Sequence, residues 1–292
     1  MSFKWQLIFA ILGLALTQNA LARADEIKLP SSATLTLGGD RQGTQNSALD
    51  LNFYLPGNWQ LNVGGDSSKV PDSEEQADST VTGGHLLIGT NPLNLFTADL
   101  EYGTWRMGDD VVAHSLNLGV IFAPADWVIR LSGGRETLKF SNLPKLIFTN
   151  GESELHDDFG SISADYMIDE VWSARIFFTA HRYDQDLGEY TEGLRVLVMP
   201  PSVLTTVTGF PATDGGIEVA ASRNKMSGSI QLATSRSALD DVRTRRVQLS
   251  GSYKFHRNWR VGLMVGSSKP EKSEEDPRDN RYGSLSFTYF WR

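Results

Sequence analysis

Apolar and polar residues alternate with period two along most of this chain, and that limits what it can become. Leu49, Leu51, Phe53 and Leu55 alternate with Asp50, Asn52 and Tyr54. Phe96, Ala98, Leu100 and Tyr102 alternate with Thr97, Asp99 and Glu101. Trp172, Ala174, Ile176 and Phe178 alternate with Ser173, Arg175 and Phe177, and Val247 to Phe255 repeats the pattern. Successive side chains of a strand point to opposite faces, so each segment of about ten residues presents one greasy and one polar face. Helical periodicity is nearly absent after residue 23, and the reading is all-β.

The connectors come in two kinds that take turns. Short ones are PGN (56–58), NPLN (91–94), APAD (123–126), IDE (168–170), RNK (223–225) and HRN (256–258). Longer, more acidic ones are 69–79, 141–158 and 268–281, with two short members at 107–110 and 237–241. Short turns at one end and polar loops at the other fit an up-and-down antiparallel meander. The short turns hide a repeat: Trp59, Trp127, Trp172 and Trp259 each open an outgoing strand on its apolar face. Four tryptophans at one level suit a membrane interface, where an apolar ring with one N–H meets wet headgroups. The alternative is that they fill the ends of an ordinary sandwich core.

Residues 1–22 read as a secretory signal. Lys4 precedes a short apolar run, Leu7 to Leu16, and Ala20-Leu21-Ala22 supplies a small-x-small cleavage site. Residues 23–292 then form one domain. Removing Lys4 leaves 26 Lys+Arg against 35 Asp+Glu, a net charge of −9. Nucleic acid is therefore not an expected partner, since phosphate binding needs a basic stripe. There is no cysteine, so no disulfide and no haem attachment motif. After the signal no apolar stretch is long enough for a helical span.

An exported chain with alternating strands can cross a membrane only as a closed barrel, because lipid offers no partner to an unpaired strand edge. Strands are expected near 33–40, 47–55, 59–67, 80–90, 94–106, 111–122, 127–139, 157–168, 172–183, 215–222, 226–236, 243–255, 259–267 and 282–291. That is fourteen, an even number that puts both ends on one side, with sixteen and twelve as alternatives. Sixteen follows if the apolar arms around Pro200-Pro201 in 184–214 are wall strands.

The chain ends YGSLSFTYFWR, with Leu285, Phe287, Tyr289 and Trp291 alternating with Ser284, Ser286 and Thr288. This ending resembles the closing strand of bacterial outer-membrane β-barrel proteins, of the porin-like kind, and departs from it in placing Arg292 after the last aromatic. The resemblance implies outer-membrane localisation, both termini in the periplasm, contact with outer-membrane lipid and lipopolysaccharide, and recognition by the barrel-assembly machinery. The implied function is a passive channel for small polar or charged solutes. The expected interface aromatics are Trp59, Trp127, Trp172, Trp259, Tyr289 and Trp291.

The polar faces carry the candidate pore lining: Asp50, Asp99, Glu101, Arg130, Asp165, Arg175, Glu218, Arg246, Lys254 and Arg260. With fourteen strands, Asp99 and Glu101 stand opposite Arg246 and Lys254, which predicts a transverse field that sorts solutes by charge. The alternative is an interior closed by salt bridges. An outer-rim hydrolase is weighed on His114, His156 and His181 with Asp157 and Asp158, but no spacing matches a known site. The acidic loops Asp72–Asp78 and Glu271–Asp276 lack calcium-loop spacing and read as solvated. A non-conducting barrel serving a secretion or surface assembly is the remaining alternative. No cofactor, metal or catalytic residue is assigned.

Overall fold

The computed structural model describes residues 29–70, 79–90, 95–108, 111–141, 154–187, 210–271 and 280–291. The strands are β1 (Ser31–Asp40), β2 (Gln45–Leu55), β3 (Trp59–Val70), β4 (Ser79–Thr90), β5 (Phe96–Met107), β6 (Val111–Phe122) and β7 (Trp127–Phe140). They continue with β8 (Glu154–Met167), β9 (Trp172–Tyr183), β10 (Pro211–Arg223), β11 (Met226–Ser237), β12 (Arg243–His256), β13 (Trp259–Pro270) and β14 (Asn280–Trp291). Each pairs antiparallel with its sequence neighbours, and β1 pairs with β14 from Ser31↔Trp291 to Asp40↔Tyr282. The ring is a closed barrel of fourteen strands.

β9 pairs directly with β10. The wall therefore has no place for the sixteen-strand alternative. The arms around Pro200-Pro201 lie outside the described residues, as do the expected signal segment 1–22, most of the acidic loops and Arg292.

Register and alternation choose the faces. Leu37 pairs with Leu285 across the seam, Leu285 with Leu263, and Leu263 with Gly251. This row is exposed, with Leu263 at 58%, and Ile176 at 60% belongs to the same outward band. Water does not tolerate a continuous apolar surface of this size on a stable monomer, whereas hydrocarbon does. At the short-turn end the band closes on aromatics: Trp127 lies against Tyr166, with ring centres 4.7 Å apart, and Trp259 against Tyr289 at 4.8 Å. Trp291 stacks on Tyr289 and meets Phe53 edge-on. At the other end the outward face turns charged, with Arg106, Arg135, Lys139, Arg182, Arg245 and Lys269.

The short turns are built by residues that tolerate a left-handed backbone. Gly57 and Asn58 take φ of 80° and 63° between β2 and β3, and Asn224 takes 57° between β10 and β11. Between β8 and β9, the Asp169 carboxylate accepts the N–H groups of Val171 and Trp172, both at 2.7 Å, which sets Trp172 at the start of its strand.

An arginine in the middle of the apolar band meets hydrocarbon without a partner. Leu263→Arg is expected to destabilise the barrel by about 2–4 kcal/mol. Urea unfolding in phospholipid vesicles measures this, and the same change at Ser267, nearer the charged end of β13, should cost less.

Candidate functional site in the barrel lumen

The inward face is the candidate site. Fourteen strands about 4.8 Å apart and tilted about 40° enclose a ring about 28 Å across, too wide for one layer of side chains to fill. All ten residues expected to line the pore fall on the face opposite the exposed apolar row.

Their charges do not face one another across the bore. Arg130 Nη2 on β7 donates to Asp99 Oδ1 on β5 at 2.8 Å, reaching over β6. Arg246 Nη2 on β12 donates to Asp214 Oδ1 on β10 at 2.5 Å, reaching over β11. Arg175 lies 3.8 Å from Asp165 on the next strand. His85 on β4 lies 3.5 Å from Asp50 on β2 and also bonds Asn62 at 2.6 Å. These inward pairs join strands one or two apart, so Asp99 and Arg246 of the expected transverse field are paired along the wall, while Glu101 and Lys254 form no ion pair among the described residues. The physical reason is distance: a bridge over one strand needs only two side-chain lengths, whereas the bore is several times wider.

Glycine makes these bridges fit. A Cβ on Gly119 would stand 2.5 Å from Asp99 Oδ1 and 2.7 Å from Arg130 Nη2, so only hydrogen leaves room for the pair to lie flat on β6. Gly64 does the same beneath Asp50 and His85. At Gly266 the Tyr282 ring from β14 covers the strand.

Of the remaining inward charges, Glu218 on β10 stands opposite Arg175 on β9, and the others spread along the axis. Near the short-turn end, Lys254 Nζ and Arg260 Cζ stand 5.5 Å and 5.4 Å from the centre of the Phe290 ring, within cation–π range. Toward the loop end, Glu101, Glu136 and Asp157 line a cavity of about 470 Å³. Trp105 Nε1 donates to Glu136 Oε1 at 2.9 Å, and His181 Nδ1 lies 2.6 Å from Asp157 Oδ2.

The loop end also holds an inward apolar cluster that the sequence reading did not assign. Val81, Met107, Val111, Ala113, Leu138, Phe140 and Leu155 come from β4 to β8, and Leu187, Phe210 and Leu239 from the connections pack on them. Val111 and Ala113 are 2% and 0% exposed. A signal was present: Leu138 and Phe140 share parity with Arg130, Ser132 and Glu136, so apolar residues had entered the polar face. Trp105 likewise sits on the parity of Asp99 and Glu101, which separates it from the interface tryptophans.

The histidines divide. His114 and His156 lie on the outward face, where His114 bonds the Tyr102 hydroxyl at 2.9 Å and His156 that of Thr137 at 3.0 Å. Asp158, also outward, takes a two-pronged contact from Arg135. Of the residues weighed for an outer-rim hydrolase, only His181 and Asp157 meet inside, and among the described residues no serine hydroxyl bonds His181. No group of three or more metal-ligating side chains occurs among the described residues.

No protein-family model matches the chain, and no curated protein matches it in sequence. Solved structures do match. The CymD monoaromatic hydrocarbon channel aligns over 96% of this chain and 92% of its own, with a TM-score of 0.53 at 8% identity. Acinetobacter baumannii OccAB1 aligns over 89% and 95%, with a TM-score of 0.45 at 9% identity. The KdgM porin in complex with disordered oligogalacturonate aligns over 89% and 99%, with a TM-score of 0.44 at 7% identity. The likeness is one of fold, a closed antiparallel β-barrel.

Removing Arg130 leaves Asp99 nearly buried with no partner. Arg130→Ala is expected to lower stability by about 1–3 kcal/mol, discounted for the partial exposure of the arginine. Gly119→Val should do the same by pushing the pair apart. Denaturant midpoints of the two variants and of Asp99→Asn/Arg130→Ala measure it, and the double variant should recover part of the loss.

Proposed function

We propose that this protein is a porin-like passive channel of the outer membrane for small polar or charged solutes. The observation that carries the reading is the direction of the inward ion pairs, which run along the wall and leave the bore unbridged among the described residues. Residues 1–22 serve as the export signal. The short-turn end, where the start of β1 meets the end of β14, lies in the periplasm, and the aromatics of that end sit among inner-leaflet headgroups. The outward charged end then stands at the outer leaflet, where Arg135, Lys139 and Arg245 are paired with Asp158, Glu154 and Glu271, and Arg106, Arg182 and Lys269 are the cations placed to meet lipopolysaccharide phosphates. The closing strand, Leu285 to Trp291, is the segment offered to the barrel-assembly machinery. No chemistry is assigned to the chain: it binds and passes solutes without transforming them.

One observation favours a second reading. The apolar cluster beneath the loop end narrows the lumen there, as a non-conducting barrel serving a larger assembly would need. Single-channel recording on refolded protein in planar bilayers separates the two. Discrete conductance steps in KCl are expected, and their complete absence would sink the channel reading.

Selectivity gives a finer test. Lys254 and Arg260 are inward cations that stand over an aromatic ring and, among the described residues, pair with no carboxylate. Replacing both with Ala should move the reversal potential in a KCl gradient toward cation preference. An unchanged reversal potential would remove them from the conduction path.

A further inference from the structure

We infer that the cavity in the outer half of the lumen is a binding site for a small amphipathic organic cation, one ring carrying one ammonium group. The inference names a solute class for the channel and rests on that reading for passage, but not for binding.

The cavity has two kinds of wall. Trp105, Phe140, Phe159, Tyr183 and Phe210 give it aromatic surface, and at about 470 Å³ it lies in the size range of small-molecule sites. Glu101, Glu136 and Asp157 give it carboxylates, and among the described residues no lysine or arginine lines it. Its fourth acid, Asp214, is already neutralised by Arg246. Among the described residues the wall's one basic side chain, His181, is engaged by Asp157.

Asp157 shows that the wall is built for a partner. The residue is 3% exposed. One carboxylate oxygen meets His181, while the other, Oδ1, is buried with no hydrogen-bond partner. A buried carboxylate oxygen left unmatched is costly, and a positive charge in the cavity beside Asp157 would offset part of that cost through space.

The two walls together select the ligand. An inorganic cation would leave the aromatic surface unused, and no cluster of metal-ligating side chains occurs among the described residues. A neutral hydrocarbon would bury the carboxylates without compensation. An aromatic carboxylate would add a like charge beside three acids. An arylalkylammonium suits both kinds of wall, since its ring packs on aromatic surface and its ammonium gains carboxylate and cation–π attraction.

Isothermal titration on the full barrel, refolded in nonionic detergent and corrected against empty micelles, tests this with three probes. Phenethylammonium is expected to bind one site per barrel. Phenylacetate and ethylammonium, each lacking one half of the match, should bind at least about tenfold more weakly. Glu101→Gln/Glu136→Gln should weaken phenethylammonium by at least about tenfold while the protein keeps its folded, heat-modifiable mobility. If the double variant loses that mobility, Glu101→Gln alone serves, with a smaller loss expected in the same direction. Phenylacetate binding as tightly as phenethylammonium, or a folded variant binding like the wild type, would overturn the inference. Binding with no KCl conductance would uphold the site and remove only the channel reading. Conductance with no binding would do the reverse.

Discussion

Every backbone N–H and C=O in the wall must find its partner within the wall, because hydrocarbon supplies none. The seam between β1 and β14 is where that requirement is met or fails. Ten residue pairs close it, from Ser31↔Trp291 to Asp40↔Tyr282. Inward side chains fasten the same seam. The hydroxyls of Thr34 and Thr288 bond at 3.0 Å, and Asn280 Nδ2 donates to Asp40 Oδ2 at 2.7 Å. Each such bond contributes only about 1 kcal/mol. The larger effect is cooperative, since an open seam would expose two strand edges at once. Alternation follows from closure: a closed wall has an inside and an outside, and each strand must serve both.

The inner face obeys a different constraint. Its charged side chains are long, and lying flat along the wall satisfies them at the shortest distance. That needs a strand without side-chain bulk in between, which Gly119 provides for Asp99 and Arg130, and Gly64 for Asp50 and His85. Glycine is a poor strand residue for entropy and packing, so its presence here marks close approach of a neighbouring side chain. The result is a wall whose charges are mostly settled locally. What is left over lies mainly along the axis: cations beside Phe290 near the short turns and carboxylates in the aromatic cavity near the loops, with Glu218 set opposite Arg175.

Particular residues show where legibility in the sequence stopped. All fourteen strands were visible, because lipid demands apolar residues on one parity for as long as the strand is in the membrane. Their outer ends were not. β8 begins at Glu154 and β10 at Pro211, several residues before alternation becomes apolar, since the ladder continues into polar surroundings that place no demand on the outward face. Inward parity was readable too, including Leu138, Phe140 and Trp105, but a periodic pattern assigns a face and not a neighbour. The partner of Arg130 is 31 positions away on a strand that is not adjacent, and the partner of Arg246 is 32 away. Those pairings depend on register and stagger, which shift a side chain several ångströms without changing the alternation.

By itself, then, the sequence determined that this chain forms a closed antiparallel barrel, which face meets lipid, and which end carries the aromatic belt. Each of these is written in local periodicity and turn chemistry, and local terms are additive along the chain. Only the tertiary structure decided that the lumen's charges pair along the wall, that an apolar cluster gathers beneath the loops, and that aromatics and acids share one cavity. Those outcomes come from side chains on different strands meeting in space, and the distances that rule such contacts exist only once the ring has closed.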